Sequence, residues 1–234
     1  MDINKLKWHV LQEEIGKLNN KIKIMGIEYK IEPWGFDVII NRDVKNRTHV
    51  NIIEPVSIIG INSFKLNTSM QMVKFPSTLK AIETGAFYGC SKLKEVTLNE
   101  GLIRLGYKCF SECESLNKVK LPSTLTDMEA GVFAACKDLE EIDIPPLVKT
   151  IKNFTFADCT SLRNVILNEG LESIEEYSFI GCTALEKIVF PKTLKIIKKD
   201  AFSKCANIKE VIFKSKQVVY GQSRVNNNII KYDC

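Results

Sequence analysis

Eight cysteines, two histidines and 28 Asp and Glu are the side chains of this 234-residue chain most able to do chemistry. Six of the cysteines, Cys90, Cys113, Cys136, Cys159, Cys182 and Cys205, follow one another at a constant step without a slip. A structural zinc site draws four Cys or His ligands together, commonly from closely spaced pairs, and no His or carboxylate recurs beside this series, so no metal site is expected. His9 and His49 both lie near the N-terminus and read as surface residues. The chain has no G-x-x-x-x-G-K-[ST], H-E-x-x-H or G-x-S-x-G. No catalytic residue and no cofactor are therefore expected. If the units carrying the cysteines stack in parallel, neighbouring thiols stand about 4.8 Å apart along the stack, which is within reach of a disulfide. Inward-facing cysteines are also small, reduced hydrophobes. The expectation is a reduced ladder, with inter-repeat disulfides as the alternative. Cys109 shares a small-residue column with Ala86 and Ala201 and reads as packing.

The elements that must position these residues are visible in the same spacing. Phenylalanine recurs at 87, 110, 133, 156, 179 and 202, in phase with the cysteines. So do apolar columns through Leu93, Val96, Leu98, Leu79 and Ile82. One period earlier, Ile52, Val56, Ile59, Phe64, Met70, Val73 and Phe75 fill the apolar columns, with Asn67 in place of cysteine. One period later the pattern dissolves at Gln217, Val225 and Asn228. A fixed period of this length signals a solenoid, in which each unit buries its apolar faces only against its neighbours. Within each unit, L-x-x-V-x-L alternates inward residues such as Val96 and Leu98 with outward Glu95 and Thr97, which predicts a strand. Identical phase makes these strands parallel. The G-A-F-x-x-C segment is expected to form a turn or a single helical turn that drops Phe and Cys inward.

The units FPSTLKAIETGAFYGCSKLKEVTL, LPSTLTDMEAGVFAACKDLEEIDI and FPKTLKIIKKDAFSKCANIKEVIF resemble the BspA-type leucine-rich repeat, with its P-x-x-L-x-x-I, A-F-x-x-C and L-x-x-V elements. The resemblance covers roughly residues 52–213. It implies a leucine-rich-repeat solenoid: a right-handed coil of 23-residue units with a concave parallel β-sheet used for binding. It also implies a role, common among members from host-associated bacteria and protist parasites, as a surface protein that adheres to host matrix or to other cells.

Residues 1–51 read as an N-terminal cap, because the end of a solenoid needs cover. Trp8, Leu11, Ile15, Leu18 and Ile22 share one helical face after Asp2 as N-cap, and residues 21–40 read as two strands joined at Glu32-Pro33-Trp34-Gly35. Residues 214–234 read as a C-terminal cap or tail. No run approaches the ~18 apolar residues of a membrane span, and the start lacks the apolar core of a secretory signal. The expectation is a cytoplasmic location, with the cell surface as the alternative if a signal has been removed.

The net charge of +5 is uneven: residues 75–213 hold 18 Lys/Arg against 19 Asp/Glu. A nucleic-acid groove needs a basic stripe with interleaved aromatics. The outward column Met72, Glu95, Lys118, Glu141, Asn164, Lys187, Glu210 has neither, so nucleic acid is disfavoured. The neighbouring column runs Lys74, Thr97, Lys120, Asp143 and then Ile166, Val189, Ile212. Three apolar side chains flanked by Asn164, Lys187 and Glu210 compose an apolar centre with a polar edge, as interface cores do. These six residues are the candidate site for a protein partner of unknown identity on an otherwise monomeric chain. Two bland explanations compete: β-branched residues suit strands, or a tail containing Val218, Val219 and Tyr220 folds back over the stripe. The functional expectation is a non-catalytic protein-binding module, with an exported adhesin as the alternative.

Overall fold

The computed structural model describes strands at 21–24, 27–31 and 37–40, then residues 47–52, 56–220 and 230–233. The chain forms a parallel β-solenoid of about seven coils, and no helix occurs among the described residues. Each coil contributes a long strand and a short strand. Coil to coil, Glu95–Thr97 lies beside Lys118–Lys120, and Ala81–Ile82 beside Arg104–Leu105, in each case one full period apart in register. The segment after the short strand, carrying Phe and Cys, is a turn and makes the third side of each coil.

The columns expected to be apolar are the core. Phe64, Phe87, Phe110, Phe133, Phe156 and Phe179 are all essentially inaccessible to solvent. They stack ring on ring, with centroids 5.0–5.8 Å apart and planes within 17° of parallel, and Phe202 continues the stack at 5.0 Å. A parallel stack leaves every ring except the terminal ones with a partner on both faces. Removing one ring therefore strips contacts from two coils at once.

All six periodic cysteines and Cys109 are free thiols. Each periodic thiol donates to the carbonyl of the phenylalanine one coil earlier: Cys90 to Phe64, Cys113 to Phe87, Cys136 to Phe110, Cys159 to Phe133, Cys182 to Phe156 and Cys205 to Phe179, at 3.0–3.3 Å. The disulfide alternative is thereby set aside, and the column has a positive role. Each of these carbonyls also accepts a backbone amide within its own turn, as Phe110 does from Cys113; the thiol adds a second donor, from the next coil, while remaining small and apolar enough for the core. Burial pushes the Cys109 and Cys159 thiols well above their ordinary range. Asn67, at the head of the column, does another job, accepting from the Ser69 and Met70 backbone amides.

The turns are tied together by backbone. Gly85, Phe87 and Gly89 donate to the carbonyls of Tyr107, Cys109 and Ser111 in the next coil at 2.7–2.9 Å, and the later turns repeat the pattern. This pattern needs two left-handed residues per turn. The first column is Asn62, Gly85, Lys108, Gly131, Phe154, Tyr177 and Asp200; the second is Leu66, Gly89, Glu112, Ala135, Asp158, Gly181 and Lys204. Glycine takes this conformation without steric cost, yet most of these positions are not glycine. The hydrogen bonds to the next coil hold them there.

Several details differ from the sequence reading. Of the two forms expected for the Phe- and Cys-bearing segment, it takes the turn and not the single helical turn. Ile22, placed on a helical face, belongs to strand Lys21–Ile24; the earlier residues of that face lie outside the described residues. The first of the two expected strands is split into Lys21–Ile24 and Ile27–Ile31, which pair antiparallel, and Ile27–Ile31 pairs antiparallel with Asp37–Ile40. Asp37–Ile40 then pairs in parallel with Ile58–Ile59, joining this meander to the short-strand ladder. The first long strand is His49–Asn51, so the ladder is already under way there. At the other end the coil continues past Phe213, where the constant-period pattern stops. Val219–Tyr220 extends the short-strand ladder beside Ile196–Ile197. Ile230–Tyr232 extends the long-strand ladder, with Val211 facing Ile230 across a step shorter than the period of the other coils. A shorter last coil hides from a search at constant period.

Candidate functional site

The long-strand face carries the six residues singled out above. Its strands are hydrogen-bonded in three ladders: His49–Asn51 to Lys118–Lys120, then Glu141–Ile144 with Asn164–Leu167, then Lys187–Phe190 with Glu210–Phe213 and Ile230–Tyr232. Val189 and Ile212 are direct register partners, as are Lys187 and Glu210. Ile166 lies in the middle ladder, beside Asp143. The short-strand ladder from Thr150–Ile151 to Val219–Tyr220 is continuous beneath, pairing Ser173 with Ile196, and so keeps the coil of Ile166 next to that of Val189. Alternation sets their orientation: Val165 and Leu167 are buried while Ile166 between them is 47% exposed, and Val189 and Ile212 are half-buried.

The polar edge is not a set of free charges. Glu210 is held by Lys187 at 2.7 Å and by Lys231 of the last strand at 2.5 Å. These two ammonium groups keep the Glu210 carboxyl at about 2, well below the usual carboxylate range. Neither Val218 nor Val219 covers the stripe: Val218 is buried and Val219 lies in the short-strand ladder. Lys231 instead takes the register position beside Ile212 and closes the apolar column with a charge. At the opposite end of this face a shallow groove lies among Met72, Lys74, Glu95, Thr97 and Asn99.

The short-strand side bears an ion-pair cluster that the column analysis did not anticipate. Arg104 bonds Glu83 at 2.8 Å and Asp127 at 3.3 Å, while Lys152 bonds Asp127 and Glu129 at 2.9 Å. The charges saturate one another across four coils, as a solvated face does. Among the described residues, no three or more His, Cys, Asp or Glu are grouped to hold a metal ion, and no helix is long and apolar enough to cross a membrane. His49 is exposed next to Thr48. Asn67, in place of cysteine in the first repeat, is buried.

The turn side holds a slot that the sequence reading passed over. In the coil of Phe133 every outward turn position is small: Ala130, Gly131, Ala134 and Ala135. The same columns carry Tyr107, Lys108, Ser111 and Glu112 one coil earlier and Asn153, Phe154, Ala157 and Asp158 one coil later, so the loss of bulk is at three of the four. The result is a depression of about 330 Å³ lined by these residues. The visible signal was a local loss of bulk within a column, which a search for conserved apolar periodicity averages away.

Comparison with known proteins agrees with this geometry. The BspA type leucine rich repeat region, described in six copies, matches residues 42–159 and 127–232. Among solved structures the chain is similar to a leucine rich cell surface protein of Faecalibacterium prausnitzii A2-165, with TM-score 0.75 and 25% identity, covering 84% of this chain and 55% of that one. A leucine-rich repeat protein of Eubacterium ventriosum gives TM-score 0.72 and 22% identity over 80% of this chain and 50% of that one. One from Bacteroides ovatus gives 0.60 and 21% over 90% and 70%. The chain thus spans about half the length of the first two. A search of curated proteins finds no match. With the family's repeat matched through all but the N-terminal segment and the coil built as that repeat requires, the chain belongs to the BspA-type leucine-rich repeat family.

Proposed function

We propose that the chain is a non-catalytic protein-binding module whose partner docks on the C-terminal half of the long-strand face. In this reading Ile166, Val189 and Ile212 form the apolar centre, and Asn164, Lys187 and Glu210 the polar edge. The observation that carries it is the 47% exposure of Ile166 between two buried neighbours. An isoleucine displayed on a solvated strand gains nothing from folding but gains transfer free energy once a partner covers it. The pairing of Lys187 and Lys231 with Glu210 fits the same role, because charges held in fixed geometry lose little freedom on binding. Changing Ile166 to Glu should leave stability within about 0.5 kcal/mol, as for a surface substitution, while partner capture from the native cell falls. Equal capture by the variant and the unaltered protein, at equal melting temperature, would remove the stripe from the site.

A second reading, display at the cell surface with adhesion to matrix or neighbouring cells, draws on one comparison: the relative from Faecalibacterium prausnitzii is described as a cell surface protein. Labelling intact native cells with a membrane-impermeant amine reagent tests it. Labelled protein supports surface display, and label appearing only after lysis supports a cytoplasmic module.

A further inference from the structure

We propose that the turn-side slot between Tyr107 and Phe154 binds one ring of a neutral sugar, so that the protein has a glycan-recognition site separate from its long-strand face.

Three observations converge on that ligand. Two aromatic rings stand at the rim with substantial free surface, Tyr107 at 46% and Phe154 at 45% exposure. Phe154 uses only one of its faces within the fold, stacking on Tyr177 with centroids 5.2 Å apart and planes 13° from parallel. Its column neighbour on the other side is Gly131, so that face looks over open floor. The floor lies below its rim because Ala130, Gly131, Ala134 and Ala135 lack bulk. Column 88 shows that the fold does not require this: Tyr88 and Ile180 occupy the position that Ala134 takes in its own coil. Gly131 also leaves room for the neighbouring lysine stem. A Cβ there would stand 3.0 Å from Cγ of Lys108, whose stem crosses the floor from the Tyr107 side.

The polar groups around the slot then select among ligands. Glu112 and Asp158 offer carboxylate acceptors, Asn153 an amide and Lys108 an ammonium donor that sits 5.2 Å from the Tyr107 ring. Glu112 already accepts from the Tyr88 hydroxyl, which holds that phenol above its ordinary range and fixes the carboxylate at the rim. Two carboxylates against one ammonium repel phosphate, sulfate and acidic sugars. A pyranose ring answers the whole set: its C–H face lies on an aromatic ring, and its hydroxyls, which both donate and accept, reach carboxylate, amide and ammonium together. A volume of about 330 Å³ is at the small end of ligand sites and suits one or two rings rather than a folded partner. The sugar is accordingly the end or edge of a glycan, with the rest of the chain in solvent.

The test is saturation-transfer NMR on the full chain with methyl β-galactoside, methyl β-glucoside, N-acetylglucosamine and lactose, and with N-acetyltyrosinamide as a peptide-like probe. Two variants accompany it. Ala134→Tyr fills the floor with a side chain that column 88 already tolerates, and Phe154→Ala removes the exposed ring. At least one sugar should receive saturation on its C–H face, with affinity reduced about tenfold or more in either variant at unchanged melting temperature. If Phe154→Ala fails to fold, Ala134→Tyr decides alone. No transfer to any of the four sugars overturns the proposal, as does transfer that Ala134→Tyr leaves intact. Transfer to N-acetyltyrosinamide alone, abolished by Ala134→Tyr, also overturns it and makes the slot a peptide side-chain pocket.

Discussion

The Cys136 thiol shows how much one residue type carries in this protein. It is fully buried and donates to the Phe110 carbonyl at 3.3 Å, beneath a phenylalanine stack that it helps to hold in phase. Replacing it with Ala leaves a small void and removes one of two donors to that carbonyl, the Cys113 amide remaining, for a loss of roughly 0.5–1.5 kcal/mol. Aspartate at the same place buries a carboxyl without a donor and should cost more. Denaturant titration should therefore rank Cys136→Ala above Cys136→Asp in stability. Strong reductant should leave the melting temperature of the unaltered protein unchanged, since the thiols are free; a marked fall on reduction would contradict the ladder. Glu210 makes the opposite case, a surface group in which charge dominates. With its pKa depressed to about 2 by Lys187 and Lys231, its contribution is present above the ordinary carboxylate value near 4.5 and is lost as pH falls toward 2. An NMR titration of the Glu210 carboxyl should give a midpoint near 2, and Lys231→Ala should move it upward. No change on removing Lys231 would mean that the last strand does not sit against this edge.

Elements matter here chiefly at the two ends. Within each ladder an inner strand is hydrogen-bonded on both sides, and an end strand on only one. Asp37–Ile40 supplies the partner for Ile58–Ile59, and Ile230–Tyr232 that for Glu210–Phe213. We propose that residues 1–51 and 214–234 act as caps on this account. An uncovered parallel edge is a template for association. Deleting residues 1–46, which spares the first long strand His49–Asn51, should make the protein oligomerise on size-exclusion chromatography. A monomer with unchanged melting would show that the segment is an independent appendage. Removing 214–234 should loosen the last coil first, because the Phe213 ring loses Tyr232 at 5.8 Å and Val211 loses Ile230 across the ladder. Limited proteolysis should then cut C-terminal to Phe190 before it cuts the middle coils.

For the whole molecule, contacts run only between neighbouring coils, so cooperativity depends on every interface being strong. The long-strand ladder divides between Lys118–Lys120 and Glu141–Ile144, where Val119 and Leu121 are only half-buried although their columns are core elsewhere. The short-strand ladder also stops there, between Asp127–Met128 and Thr150–Ile151, so what bridges that place is the pairing of Lys152 with Asp127 and Glu129, the turn hydrogen bonds and the phenylalanine stack. Phe133 stacks on Phe110 and Phe156, both at 5.8 Å, just there. Phe133→Ala should cost about 3–5 kcal/mol and, beyond lowering stability, should split a single unfolding transition into two, the halves separating at the weakened interface. Retention of one sharp transition would place the coupling elsewhere. The partner face proposed above lies wholly in the C-terminal half, so this variant would also show whether that half keeps its shape without the other.

The constant phase, the apolar columns, the parallel strands and the reduced thiols were legible in the chain alone. The reason is that a solenoid imposes the same nearest-neighbour condition on every unit: Phe87 must meet Phe110 as Phe156 meets Phe179, and that demand repeats as letters. The candidate stripe was legible as a column for the same reason, since Ile166, Val189 and Ile212 are outward by alternation with buried Val165, Ile188 and Val211. Tertiary structure decided what depends on side chains meeting across coils or on how the backbone closes. The left-handed residues Lys108, Phe154 and Tyr177 carry no glycine signature, because hydrogen bonds to the next coil enforce their conformation. The last coil escaped the period because it closes early, by pairing Val211 with Ile230. The slot beside Phe154 exists only because Gly131 and Ala135 lie between larger neighbours in the coils to either side. An empty volume is a property of three coils together and is written in no one of them.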